Sequence, residues 1–510
     1  MTSQSTAADH SSSSESTRLP AATIRLIALL VAAAFVVILN ETIMSVALPD
    51  LMVEFEVTAA TAQWLTTAFM LTMAVVIPFT GWMLVRLPLR TVFIIAMSTF
   101  TAGTVLASLA MVFPMLVAGR VVQAVGTAIM MPLLMTTVLN VVPADRRGRT
   151  MGVISIVIAV APAVGPTVGG VVLDSLSWRW MFWSVLPIAV LALIAGGALI
   201  RNVTENRDVP LDIFSGVLSA LGFAGLIYGL SSIGEAAMGN ALISPWIPVV
   251  VGVLSLAVFV WRQLALKDNA LLDVRAFASP TFTVALVLML IAMMSLFGVL
   301  ILLPIYMQQV LGSTTLEAGL ALLPGGLVMG ILGWFVGRLY DKVGPRPLII
   351  PGSILASAGL WGMTTLGADS SLGMVVAFHV TLTFGLALLF SPLMTSALGS
   401  LPPHLYSHGS ALLTTLQQVA AAAGTALFIT VMTLGQVAGG EGGEGALAAQ
   451  MNGVHNALIA GAAISLITVI GVWFLRNTAQ TEAPAAEALA EEALAADELA
   501  DDATPAGPGR

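Results

Sequence analysis

Long apolar segments separated by short polar ones make up most of the chain. About 20 apolar residues are enough to cross the hydrocarbon core of a bilayer as a helix. Segments of that kind fall at 22–48, 61–84, 89–112, 114–141, 148–173, 178–200, 212–233, 244–264, 280–309, 316–337, 346–366, 371–399, 408–434 and 455–475. The pattern predicts an all-α polytopic membrane protein with about fourteen transmembrane helices.

The composition agrees with this prediction and excludes several other classes of protein. Of the 510 residues, 58% are hydrophobic and 9% are charged, which is too apolar for a soluble globule. The chain has no cysteine, and its five histidines lack the spacing of metal ligands, so we predict neither disulfides nor a metal site. The net charge of −8 comes largely from the acidic tail after Arg476, and we predict no nucleic-acid partner.

The distribution of lysine and arginine tests the helix count. Loops on the cytoplasmic side of a membrane carry an excess of basic residues. If the N-terminus is cytoplasmic, Arg179 is the only basic residue outside and Arg120 the only one within a helix. We therefore predict that both termini are cytoplasmic.

An internal repeat relates the two ends of the membrane region. The turn Gly81–Arg90 follows helix two and the turn Gly337–Arg346 follows helix ten, and their first residues are 256 positions apart. Helices four and twelve match as well, with Arg120, Gly126 and Pro132 in one and His379, Gly385 and Pro392 in the other. Parallel six-helix halves with a site near the midplane are typical of secondary transporters that work by rocking.

The repeat also predicts the domain organisation. We expect a disordered arm (1–21), an N-terminal six-helix bundle (22–200), a linker with the inserted helices seven and eight (201–275), a C-terminal six-helix bundle (276–476) and an acidic tail (477–510). The arm and the tail are both expected in the cytoplasm.

One ionisable residue, Glu41, lies inside the first apolar segment. Acids within membrane spans are costly, face the bundle interior or a water-filled path, and commonly take part in ion movement. Burial disfavours the charged form of a carboxyl group, which makes Glu41 a candidate for proton uptake and release near neutral pH. The alternative is that the helix ends at Asn40 and leaves Glu41 at the interface.

Motifs on helices one, four and five resemble those of a known transporter family. Leu39–Pro49 reads LNETIMSVALP against a family motif LDxTIVxVALP, with Asn40 at the position of the family acid. Ala161–Gly170 matches a fifth-helix antiporter motif, and helix four keeps the Arg, Gln and second Gly of RxxQGxG. The family is the fourteen-span drug/proton antiporter branch of the major facilitator superfamily.

Further segments refine this resemblance. Tyr306–Gly312 and Leu323–Gly326 are similar to the lincomycin-exporter-like subgroup of that branch. The gating-loop motif of the superfamily is nearly intact around Asp341, whereas Val85 and Pro88 replace its Asp and Gly in the first half.

The resemblance implies a fold and an activity. We expect the major facilitator fold, two six-helix bundles plus two extra helices, acting as a monomer in a bacterial cytoplasmic membrane. The expected activity is proton-coupled efflux of small amphipathic organic compounds by alternating access, not catalysis, with no cofactor beyond the proton-motive force. The alternative is export of one endogenous metabolite or lipid precursor. No Walker-type phosphate loop occurs, so ATP is not the expected energy source.

Helix depth and the repeat suggest how a coupling site is built. Counting 1.5 Å per residue along each helix places Glu41 and Arg120 in the outer half at similar depth. We hypothesise that they interact directly or through water, and that protonation of Glu41 frees the contact; the alternative is a static ion pair. His379, at the position equivalent to Arg120, is either a second titrating or substrate-contacting group or a satisfied interfacial residue.

The predicted site residues form four groups. The proton-coupling group is Glu41, Arg120, His379 and Asp212, the last because it opens helix seven as in the branch. The substrate cavity is Asn40, Glu41, Gln63, Trp64, Gln123 and His379, although Gln63 and Trp64 could equally anchor the helix at the interface. The antiporter motif is Pro162, Gly165, Pro166, Gly169 and Gly170, which serve either bending or plain helix packing. The cytoplasmic gate is Gly81, Arg86, Arg90, Gly337, Arg338, Asp341, Lys342 and Arg346.

Overall fold

The computed structural model of the chain describes residues 20–57, 59–200, 207–237, 243–438 and 444–475. Most of the predicted arm and all of the acidic tail lie outside these ranges, as do the side chains of Gln63, Pro162 and Pro166. The described helices are α1 (Ala21–Glu54), α2 (Ala59–Arg86), α3 (Leu89–Ser108), α4 (Phe113–Val141), α5 (Arg147–Ser175), α6 (Arg179–Leu199), α7 (Ile213–Ala237), α8 (Trp246–Leu266), α9 (Pro280–Gln309), α10 (Thr315–Val343), α11 (Arg346–Met363), α12 (Leu372–Gly399), α13 (Tyr406–Ala438) and α14 (Glu444–Gly471). Each predicted apolar segment coincides with one of them, and the predicted all-α class is confirmed.

Among the described residues, twelve of these helices are long and apolar enough to cross a membrane. The other two are α5 and α11, so a count of fourteen spans stays a prediction. The helix ends extend past the apolar segments, most clearly where α1 continues to Glu54 and α14 begins at Glu444. Hydropathy marks the part of a helix that is apolar, and helical hydrogen bonding continues into the polar residues beyond it.

The two halves of the chain repeat the same helix packing. The pairs α1–α5, α2–α4 and α3–α4 recur eight helices later as α9–α13, α10–α12 and α11–α12. Two glycines that the sequence matched, Gly126 and Gly385, occupy equivalent helix crossings. A methyl group on Gly126 would collide with Ala96 and Phe100 of α3, and one on Gly385 would collide with Gly352 and Ala356 of α11.

We expect Gly126→Val and Gly385→Val each to lower the unfolding temperature in detergent. The added side chain has to force two helices apart, and overpacking of this kind costs about 1–3 kcal/mol. Gly197→Val on α6 is the matched control, because nothing lies within 4 Å of a Cβ there. Equal stability of all three variants would contradict the close crossings.

The bundle has two faces. The face at which α1 begins, called the inner face below, is the predicted cytoplasmic side. Its loops and helix ends carry the described basic residues other than Arg120 and Arg179. Arg179 lies at the opposite, outer face, where its guanidinium donates to Glu54 at 2.7 Å and ties α6 to the end of α1.

The halves meet along two seams, which we name by the helices that form them. In the α5–α10 seam, Gly148, Gly152 and Val160 of α5 approach Gly337, Gly333 and Gly330 of α10. In the α2–α13 seam, Gly81 of α2 lies against His408 and Ala411 of α13. The inserted helix α7 packs on both α2 and α13 and so covers the second seam from the side.

Candidate functional site

Glu41 lies well inside α1, because the helix continues to Glu54. The alternative that the helix ends at Asn40 is therefore wrong. The Glu41 side chain is half-buried, and its neighbours on α1 are the buried Asn40 and Ile43. The carboxyl group thus lies in a stretch of helix whose other residues, from Leu26 to Leu48, are uncharged.

Arg120 of α4 is the centre of a buried polar network. Its side chain is 1% exposed, and its Nη1 donates to Asn40 Oδ1 and to Gln123 Oε1, both at 3.1 Å. Gln123 in turn donates to Thr104 Oγ1 at 2.8 Å. The guanidinium stacks over the Phe69 ring, 4.1 Å from its centroid, a geometry that stabilises a cation.

The guanidinium meets Asn40 and not Glu41. Within the described ranges no hydrogen bond or ion pair joins Glu41 to Arg120, although the two charges lie within electrostatic range of each other. Arg120 Nε is also buried without a hydrogen-bond partner among these residues. The direct contact that the sequence suggested is therefore not formed in this conformation. Asn40, at the position of the family acid, supplies the oxygen instead.

The glycines of the antiporter motif pack on α1 beside Glu41. A methyl group on Gly165 would collide with Thr42, and one on Gly169 would come within 3.2 Å of the Ile43 carbonyl oxygen. Thr42 Oγ1 also donates to the Ala161 carbonyl at 3.4 Å. Gly170 has open space around it. The motif thus brings the α5 backbone against the turn of α1 that carries the acid.

His379 is buried between α12 and α10. Its side chain is 1% exposed, its ring lies where a methyl group on Gly325 would sit, and its Nδ1 has no hydrogen-bond partner within the described residues. A backbone hydrogen bond with Leu322 gives the ring one partner, so the coupling role and the satisfied interfacial role both stay predictions. Trp64 is 38% exposed and stacks on Tyr228 of α7 at a centroid distance of 6.3 Å, which ties α2 to the inserted hairpin.

A cavity lies between the halves, as predicted for the substrate site, but its lining differs from the predicted set. Its lining is methionine-rich and includes one amide and one hydroxyl: Ser155, Met289, Met329, Gly333, Ala387, Phe390, Met394 and Gln417. Ser155 belongs to α5, and the other residues come from four helices of the C-terminal half. Gln417 Nε2 lies 3.1 Å from Met289 Sδ. The one signal in the sequence was a glutamine inside an apolar helix.

At the inner end of the α5–α10 seam, Asp341 caps the first turn of α5. Its two carboxylate oxygens accept from the backbone N–H groups of Gly148 and Arg149, each at 2.8 Å. A helix begins with unpaired N–H groups and a partial positive charge, which suits a carboxylate. Since Asp341 belongs to α10, this contact holds the two halves together on the inner face.

The other predicted gate residues have different partners. Arg86 pairs with Asp208 of the linker and donates to the Val209 carbonyl at 2.8 Å. Arg338 stacks on Trp334, and Arg346 Nε donates to the Leu475 carbonyl at 3.0 Å, while Lys342 is exposed. Arg90, at the start of α3, is likewise exposed.

Asp212, just before α7, is held in a fixed ion pair. Arg262 donates to both of its oxygens, at 2.8 and 3.1 Å, and Ser215 Oγ donates at 2.6 Å. The hydrogen bonds from Arg262 hold the pKa of Asp212 well below its usual range, at about 2. It therefore stays ionised at physiological pH, and we leave it out of the proton path proposed below. No cluster that could hold a metal ion occurs in the described part of the chain.

Comparisons with known proteins place this geometry in context. Residues 30–425 match the sequence profile of the Major Facilitator Superfamily. The lincomycin resistance protein LmrB of Listeria monocytogenes is 40% identical over 459 residues, covering 89% of this chain and 97% of that protein. Its Bacillus subtilis counterpart is 37% identical over 454 residues, covering 88% and 95%. Among solved structures, the human organic anion transporter MFSD10 has a TM-score of 0.64 at 15% identity, covering 89% of this chain and 99% of that one.

Proposed function

The chain belongs to the major facilitator superfamily, and we propose that it exports amphipathic organic compounds across a bacterial cytoplasmic membrane in exchange for protons. Membership confirms the expected transporter class, and the similarity to the lincomycin resistance proteins confirms the resemblance to the lincomycin-exporter-like subgroup. The observation that carries the proposal is the position of Glu41 inside the bundle, next to the antiporter glycines and within electrostatic range of Arg120. The class of substrate is taken from the two relatives that are named lincomycin resistance proteins.

In the proposed cycle, Glu41 carries the proton. With the inner face closed, substrate leaves outward and Glu41 takes up a proton. After the halves rock, Glu41 releases the proton inward as the next substrate binds. The Arg120 charge, fixed by Asn40 and Gln123, favours the ionised form of Glu41 and so assists release.

The driving force is sufficient for this task. One proton that moves down about 100 mV releases about 2.3 kcal/mol. That energy corresponds to a concentration ratio of about fifty for one neutral substrate molecule.

We propose that substrate binds at the methionine-lined cavity, which has only about 10 Å³ of free volume in this conformation and widens to admit an organic compound. Methionine side chains are flexible and polarisable, and they suit surfaces that accept varied ligands. Gln417 and Ser155 offer hydrogen bonds from opposite halves of the transporter. Once the cavity has widened, an apolar compound with one or two polar groups would contact both halves.

The test is substrate-evoked proton movement in proteoliposomes that contain a pH-sensitive dye. Purified protein is challenged with lincomycin, a cationic dye and tetraphenylphosphonium, with a protonophore as control. We expect proton release with several of these compounds. A response to only one chemical class would favour the specific exporter, and no response or counterflow with any compound would overturn the proposal.

A further inference from the structure

The α2–α13 seam is built differently from the α5–α10 seam at its inner end. The helices α5 and α13 are equivalent in the repeat, yet only α5 has a carboxylate at its first turn. The corresponding turn of α2 has Val85 and Pro88 in place of the motif acid and glycine, and its Arg86 is paired with Asp208 of the linker. The first turn of α13 carries a histidine, His408.

His408 is enclosed at this seam. The side chain is 9% exposed, and its Nδ1 is buried with no hydrogen-bond partner within the ranges that the structure describes. A methyl group on Gly81 of α2 would lie 3.1 Å from that nitrogen. The imidazole is thus packed between α2 of the first half and its own helix, α13, of the second half.

The charged groups around His408 do not offer it a free counter-ion. Asp273 lies within electrostatic range, but Arg275 already donates to both of its oxygens, at 2.7 to 3.0 Å. Arg275 itself and His404 of the neighbouring 3-10 helix Pro403–Leu405 add positive charge. The partial positive charge at the start of α13 also opposes a cation there.

We propose that His408 is a proton-sensing residue of the inner gate, neutral when the α2–α13 seam is closed and protonated when it opens to the cytoplasm. In the closed gate a proton on Nδ1 would be buried against the α2 backbone without an acceptor. When α2 separates from α13, water reaches the ring. Acid on the inner side therefore stabilises the inward-open conformation and slows the return to the closed gate.

The size of the effect follows from linkage. An exposed imidazole titrates near pH 6.5, and the closed gate excludes the proton. Between pH 7.5 and pH 5.5 the ratio of inward-open to closed protein then rises about tenfold. The sign is fixed, because only the open conformation binds the extra proton.

The test measures that ratio with spin labels, since the chain has no native cysteine. Thr91→Cys and Pro347→Cys place labels at exposed positions in the first turns of α3 and α11, one in each half. Pulsed electron–electron distance measurements at pH 7.5 and 5.5 report the open fraction. All measurements use the Glu41→Gln variant, so that titration of Glu41 does not contribute to the pH dependence.

We expect the open-to-closed ratio to rise about ten times more with His408 present than in His408→Asn, because Asp341, another titratable group of the inner gate, is common to both proteins. The matched control is His404→Asn, an exposed histidine of the same face, which should keep the rise. His408→Gln repeats the test if the asparagine variant loses the closed distance at pH 7.5. An equal rise with and without His408, or no rise in either, overturns the inference.

The inference rests on the alternating access proposed above, and its failure is distinguishable from that of the proposed function. If no second distance appears under any condition, with or without lincomycin, alternating access itself fails. If two distances appear but their ratio ignores His408, only the role of this residue fails.

Discussion

Replacing Glu41 with glutamine is expected to abolish substrate-evoked proton release while leaving substrate exchange intact. Glutamine has the shape of a protonated glutamate, so the bundle can still pack and bind substrate. It cannot release a proton, so net export driven by a pH gradient should fall to the rate of empty liposomes. The measurement compares proton release with counterflow of labelled substrate across equal concentrations, in wild type and variant.

The matched control is Glu317→Gln at the outer end of α10. Glu317 forms a capping box with Thr314, a role that glutamine also fills. This variant should keep both proton release and counterflow. Proton release that persists in Glu41→Gln would show that another group carries the proton, with the buried His379 next in line. Loss of both activities in Glu41→Gln would mean that the acid binds substrate.

The fold could be predicted from the sequence because a bilayer strongly constrains which segments can cross it. Every span needs an apolar run of sufficient length, and every helix end returns to water, so hydropathy and basic loops reveal both. What the sequence left open is how far helices extend beyond the membrane, as in α1 and α14. It also could not place α7 over the α2–α13 seam, because an apolar helix facing lipid and one facing protein have the same composition.

The site was partly predictable for a similar reason. A charge inside an apolar helix is conspicuous, and Glu41 and Arg120 were identified on that basis. Their relative orientation could not be predicted, because successive residues on a helix point about 100° apart. A shift of one residue along α1 decides whether Arg120 contacts Asn40 or Glu41. Methionines of the cavity could not be distinguished from methionines that face lipid.

The gate shows a second limit. Asp341 stood out as an acid among basic residues, but its partners are backbone N–H groups of Gly148 and Arg149, which have no side-chain signature. Arg86 is predicted to belong to the cytoplasmic gate, and its partner Asp208 lies in the linker. Backbone donors and linker contacts become visible only once the helix ends are placed in three dimensions.

Replacing Asp341 with alanine is expected to open the inner gate. The variant loses two hydrogen bonds to a charged acceptor and a favourable contact with the start of α5, and only the closed conformation makes them. Because water compensates the freed groups in the open state, we expect a net cost of about 1–3 kcal/mol, or about 5- to 150-fold in the closed-to-open ratio. Export should slow, since the closed inner gate is an obligatory state.

The measurement is the labelling rate of Ser410→Cys by a water-soluble maleimide. Ser410 is fully buried in the closed gate, where its hydroxyl lies 2.7 Å from Thr136 Oγ1 across the halves. Faster labelling in Asp341→Ala than in the parent Ser410→Cys protein is the expected result. Asp369→Asn, which changes an exposed carboxylate in the outer loop between α11 and α12, should leave the rate unchanged. An unchanged rate in Asp341→Ala would mean that apolar packing and glycine contacts alone keep the seam closed.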